Sequence, residues 1–84
     1  MSVSGVPSSE ILKCYRFVCA VCYRPATDVH EITPRSKHPS YLWDFENRVP
    51  LCRKCHRLVH DEGTRVWEDR LKEARATLAS LTGL

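Results

Sequence analysis

Residues 47–60 read NRVPLCRKCHRLVH, and the spacing of metal-binding residue types within them decides how the rest of the 84-residue chain is read. Cys52 and Cys55 stand as C-x-x-C, the spacing at which two thiolates on one tight turn reach a single tetrahedral Zn²⁺ at about 2.3 Å. A closed site needs two more ligands, and Cys19 and Cys22 supply them at the same spacing upstream. Four thiolates fill a tetrahedron and leave no open position for chemistry, so this zinc is expected to be structural. His56 and His60 are spaced i, i+4, one turn apart on one face of a helix, a placement that holds a second divalent ion. Two sites are therefore expected side by side, one closed and one open.

A chain of this length is expected to form one domain. It buries only a little over half of its unfolded surface, so it needs a staple, and the four-cysteine site is the obvious one; without zinc the chain is expected to be unfolded. Five cysteines also occur in secreted disulfide scaffolds, but the first residues lack the charged start, apolar run and small-residue cleavage site of a signal peptide. Reduced thiols and a soluble, cytoplasmic protein are expected, with no membrane partner, since no apolar run approaches the roughly 20 residues of a transmembrane helix. The formal charge of +3, from 13 Lys and Arg against 10 Asp and Glu, permits nucleic-acid binding without demonstrating it.

Along the chain, residues 1–9 are mostly Ser, Gly, Pro and Val and are expected to be a flexible tail. Residues 10–18, EILKCYRFV, suit a short helix or a strand equally. Cys14 within them is the odd cysteine and reads as a small buried hydrophobe, because the other four close a site. Residues 26–32 and 47–51 are short extended runs that can pair as an antiparallel hairpin. The long connection between them, with Pro34, Arg35, Lys37, His38 and Pro39 and then Tyr41, Leu42, Trp43 and Phe45, is expected to be anchored by its aromatics. A helix follows over residues 53–60. Gly63 ends it, and Thr64 is a plausible N-cap for a longer helix to about residue 80. On that helix Trp67, Leu71, Ala74, Leu78 and Leu81 form one apolar stripe, expected to pack on the zinc core, with a self-association seam as the alternative. The resulting organisation is a tail over 1–9, a zinc-stapled domain over 10–63 and a C-terminal helix over 64–84 packed on it.

C-x-x-C, then V-H-E-I-x-P-R, then N-R-V-P-L-C-x-x-C-H-x-x-x-H resembles the HNH endonuclease domain with a four-cysteine zinc site found in phage and bacterial proteins. The resemblance covers residues 19–60, about half of the chain. It implies a small α+β fold, a ββα-metal finger in which two strands and a helix grip one catalytic divalent ion, here carrying an N-terminal extension and a C-terminal helix. It also implies hydrolysis of nucleic-acid phosphodiester bonds. His30 matches the family's first metal-binding position, His56 and His60 match its helix ligands, and Asn47 matches the middle letter, which holds the hairpin and orients the base. Glu31 departs from the pattern, standing where most members carry the general-base histidine. A carboxylate near 4.3 is a weaker base at pH 7 than an imidazole near 6.5, by about two units. Burial or the surroundings would have to raise it, or Glu31 would bind the metal and let a metal-bound hydroxide attack, or His38 from the loop would serve as base instead.

Arg35, Lys37, Arg48, Arg53, Lys54 and Arg57 cluster in sequence around these ligands, and together they suit phosphate contacts, which position a duplex without reading its sequence. The reading is thus a metal-dependent endonuclease that nicks double-stranded DNA, with structural Zn²⁺ and a catalytic Mg²⁺, Mn²⁺ or Ni²⁺. Its catalytic residues would be Glu31, His30, Asn47, His56 and His60. The alternatives are a non-catalytic zinc-ribbon-like module that binds DNA or protein, or an accessory factor of a larger partner such as a phage DNA-packaging terminase in a bacterial host cell.

Overall fold

The computed structural model of the chain describes residues 7–32 and 47–83. Helix α1, Ser8–Cys14, takes the first half of the segment that suited helix and strand equally, while Val18 at its end forms a single antiparallel bridge with Pro25. The Pro7 carbonyl accepts the N–H groups of Glu10 and Ile11 at 3.0 and 3.2 Å, and Glu10 and Lys13 sit at the two ends where the helix dipole favours their charges. Ile11 and Tyr15, i and i+4, are fully buried and dock the helix on the core. The helix ends because Arg16 and Phe17 turn left-handed, at φ 57° and 58°, which lets the Phe17 N–H close a six-to-one bond onto the Leu12 carbonyl at 2.8 Å.

Strands β1, Asp28–Glu31, and β2, Arg48–Leu51, form the expected antiparallel hairpin, with Asp28 opposite Leu51, His30 opposite Val49 and Glu31 opposite Arg48. Bonds from Ile32 N–H to the Asn47 carbonyl at 2.9 Å and from Thr27 N–H to the Leu51 carbonyl at 3.2 Å extend the pairing at both ends. Pro50 interrupts β2 as a donor, which a two-stranded sheet tolerates because both strands are edges. Its carbonyl instead accepts the Ala20 N–H at 3.0 Å and ties the first cysteine turn to the sheet. Of the strand connection, the prolines, Arg35, Lys37, His38 and the aromatics Tyr41, Trp43 and Phe45 lie outside the described residues.

Helix α2, Arg53–Glu62, and helix α3, Thr64–Thr82, meet at Gly63. With φ at 108°, Gly63 adopts a backbone that side chains disfavour, and it serves both helices: its N–H ends α2 on the Val59 carbonyl, and its own carbonyl receives Val66 and Trp67. Gly63 therefore takes the capping position expected of Thr64, which is the first helical residue, and α3 continues to Thr82. Trp67, Leu71 and Leu78 are buried and Ala74 is partly so, whereas Leu81 is 68% exposed. The stripe keeps its helical spacing to the end, but the core beneath it stops at Leu78. Trp67 donates to Glu62 at 2.7 Å and Arg75 donates to the Tyr15 hydroxyl at 2.9 Å, fastening α3 to α2 and to the end of α1. The stripe thus packs on the chain's own core, with Val49, Leu51 and Val59 at its centre. No helix among the described residues is long and apolar enough to cross a membrane.

Candidate metal centres

The first centre grows from two turns. In the upstream turn the Cys19 N–H donates to the Arg24 carbonyl at 2.7 Å and the Tyr23 N–H to the Cys19 carbonyl at 2.9 Å. Tyr23 at φ 64° reverses the chain just after Cys22, which brings the Arg24 carbonyl back to the Cys19 N–H. In the downstream turn Cys52 is the N-cap of α2, and its Sγ accepts the Cys55 N–H at 3.4 Å, so the cap that starts the helix also sets the pair. Sulfurs of Cys19, Cys22, Cys52 and Cys55 lie within 4.8 Å of one another, and Cys22 and Cys52 are 3.6 Å apart. A tetrahedron of Zn–S bonds near 2.3 Å requires sulfurs about 3.8 Å apart, so the cluster fits a closed zinc site. Cys14 packs partly buried against the core, away from it.

The thiols differ sharply in acidity. Desolvation pushes Cys22 and Cys55 up. Cys52 is desolvated too, but the Cys55 N–H and the neighbouring sulfurs outweigh that cost and bring it down to about 7. Packed sulfurs resist joint ionisation unless a cation among them supplies the countercharge, and such a cation inverts this acidity and holds them as thiolates.

The second centre is built by β1 and α2. Strand alternation sends His30 inward, where it is 6% exposed, and α2 lies across it carrying His56 and His60 on one face. The ring centroid of His30 is 5.5 Å from those of both helix histidines, which are 4.8 Å apart. One ligand nitrogen from each lies within 4.8 Å of the others, and the Nε2 atoms of His56 and His60 are 3.2 Å apart. His30 Nε2 is buried with no hydrogen-bond partner among the described residues. A buried orphan of this kind costs about 1–3 kcal/mol, which a bound cation relieves. Burial, helped by repulsion from His56 and His60, pulls His30 down to about 4, so its lone pair is free at neutral pH. Three imidazoles converging on one point are a donor set suited to a divalent transition ion.

Asp28 completes this centre, and the sequence did not bring it out as a site residue. Its Oδ2 accepts from His56 Nδ1 at 2.9 Å and from Arg53 Nε at 3.2 Å, while Thr27 donates to its Oδ1 at 2.9 Å. These bonds, the one from His56 foremost, hold the carboxyl below its usual range. With Nδ1–H committed to Asp28, His56 presents the Nε2 lone pair to the cluster. The signal was present as D-x-H: residues two apart on a strand share a face.

The remaining candidate residues fall in different places. Glu31 lies on the other strand face from His30, its side chain 40% exposed, 3.9 Å from the guanidinium of its cross-strand partner Arg48. Arg48, read as a phosphate contact, is largely buried against that carboxylate, and Arg53 is drawn to Asp28. Lys54 and Arg57 are exposed. Asn47 is buried, its carbonyl closing the hairpin on Ile32. Arg35, Lys37 and His38 lie outside the described residues.

A family model described as HNH endonuclease matches residues 19–62, more than half of the chain and a span that holds both clusters. No curated protein and no solved structure matches the chain significantly.

Proposed function

Because the chain belongs to the HNH endonuclease family, we propose that it hydrolyses phosphodiester bonds of double-stranded DNA. A divalent ion held by His30, His56 and His60 would serve the reaction, and zinc on Cys19, Cys22, Cys52 and Cys55 would serve only the fold. The observation that carries this reading is the convergence of three imidazoles on a buried His30 Nε2 that lacks a partner among the described residues. A purely structural zinc module needs one closed site and has no use for a second, open set of donors.

When bound, the ion supplies positive charge at the scissile phosphate and the leaving oxygen. An all-imidazole donor set favours Ni²⁺ over Mg²⁺ and Mn²⁺, which prefer oxygen ligands. His30 holds its lone pair neutral through burial, and His56 is turned by Asp28 so that Nε2 faces inward. Asn47 keeps β1 and β2 in register at the end of the hairpin where Glu31 sits. Glu31 accepts the proton of the attacking water, with Arg48 holding its carboxylate in place, and His38 is the alternative acceptor. One open centre per chain cuts one strand, so the expected product is a nick, and a double-strand break needs a second chain or a second encounter.

Plasmid nicking by the zinc-loaded protein tests this directly, with EDTA and with added Mn²⁺, Ni²⁺ or Mg²⁺. Conversion of supercoiled to open-circular plasmid that depends on the added ion supports the nuclease. A second reading, a DNA- or protein-binding module without catalysis, draws on Glu31, a carboxylate already engaged by Arg48 on the strand face opposite His30. Binding without nicking under every ion selects it.

A further inference from the structure

An open groove of about 790 Å³ runs beside the four-cysteine cluster, with Cys22, Cys52 and Cys55 in its lining. Around it stand Arg24, Lys54 and Arg57, exposed cations that make no ion pair among the described residues, against a single acid, Asp61. Arg53 lines the same groove and reaches Asp28, the carboxylate that holds His56. At about 100° of helical turn per residue, Arg53 and Arg57 fall on α2 between the face of His56 and His60 and the face of Lys54. The groove and the histidine cluster thus share a wall.

We infer that this groove is a binding track for the phosphates of the DNA duplex flanking the cut site, which makes the zinc turn part of the DNA footprint as well as a staple. The inference rests on the proposed DNA substrate and adds to it a place and a residue, Arg24, that the clustering of charges along the sequence did not bring out. Charge decides the occupant: three unpaired cations facing one acid around an open groove suit a polyanion, and regularly spaced phosphates meet several cations at once. Zinc on four thiolates is itself net negative, so these cations have a competing use in neutralising the sulfurs. Against it, the side chains of Arg24, Lys54 and Arg57 make no hydrogen bond to a sulfur among the described residues; Cys52 takes the Cys55 N–H and Cys22 the backbone of Arg24.

The test is the salt dependence of binding to a short DNA duplex, measured by fluorescence anisotropy on zinc-loaded protein with no ion added for cleavage. The wild type is compared with Arg24→Gln, Lys54→Gln and Arg57→Gln, singly and combined. Removing one phosphate-binding cation should reduce the slope of log K against log salt by about 0.9, and the triple variant should reduce it by about 2–3. Zinc content and Ni²⁺ affinity of the histidine cluster should stay at wild-type values. An unchanged slope overturns the track, and an unchanged slope with falling zinc content assigns the cations to the thiolates. If the triple variant does not fold, the single variants decide by the same slope. A wild type that binds no duplex at any salt removes both the track and the proposed substrate. A slope that falls as expected in a protein that nicks under no ion leaves the track standing and removes the nuclease.

Discussion

Asp28 Oδ2 lies 2.9 Å from His56 Nδ1, and this one bond determines which nitrogen of His56 faces His60 and His30. Removing the carboxylate frees the ring to flip and to change tautomer. Asp28→Ala is expected to weaken divalent-ion binding at the histidines by about 10–100-fold while the zinc remains. Calorimetric titration of Ni²⁺ into zinc-loaded protein measures it, and an affinity equal to that of the wild type would show that His56 needs no such support.

Cys52 has two duties, capping α2 and completing the sulfur cluster. Cys52→Ser keeps a capping oxygen and leaves three thiolates, so any loss of stability can be assigned to the metal. With most of a small domain's folding free energy resting on the zinc, the variant should show no cooperative melt by circular dichroism. A melt near that of the wild type would mean that the cluster does not staple the fold.

His56 and His60 stand outside the sulfur cluster, half-buried and exposed respectively. His56→Ala and His60→Ala should therefore fold, keep one zinc and lose nicking. Loss of zinc and fold together in either variant would mean that the two centres are not separate.

Glu31 is the least protected part of the proposed chemistry, being half-exposed and paired to Arg48. Glu31→Gln preserves shape and removes the proton acceptor, and should slow nicking by about 10²–10⁴-fold while ion and DNA binding persist. Glu31→His restores an imidazole, so activity should persist or rise, with a pH profile bending near about 6.5. Full activity in Glu31→Gln together with a dead His38→Ala would move the base to the loop.

Acid should weaken the fold in a defined window. His30 is pulled from 6.5 to about 4 by burial and by its two neighbouring histidines. Between these values the unfolded chain takes a proton that the folded chain refuses, so stability falls as pH drops through this range and the loss levels off below about 4. Asp28, depressed in the fold, adds a loss at lower pH still. Urea midpoints at several pH values should fall less steeply for His30→Leu than for the wild type, since thiolate protonation acts on both alike. Parallel curves would count against a buried, neutral His30.

How far the sequence reached follows from where each interaction lives. The C-x-x-C pairs and the i, i+4 histidines are local spacings, and a turn or a helix converts local spacing directly into geometry, so these residues were legible in the sequence as candidate donors, whereas His30 joins His56 and His60 only through the fold. The hairpin, the helix α2 and the apolar stripe at Trp67, Leu71 and Leu78 were legible for the same reason: period and composition act over a few residues. Partnerships between elements were not. Asp28 meets His56 from 28 positions away, and Glu31 is engaged by Arg48 only because the strand register sets them opposite each other. Arg24 reaches the groove beside α2 because the upstream cysteine turn is docked on Pro50. Even Leu81 keeps its place on the stripe and is exposed nonetheless, because periodicity says which face of a helix is apolar and only the packed core says how far along the helix there is anything to cover it.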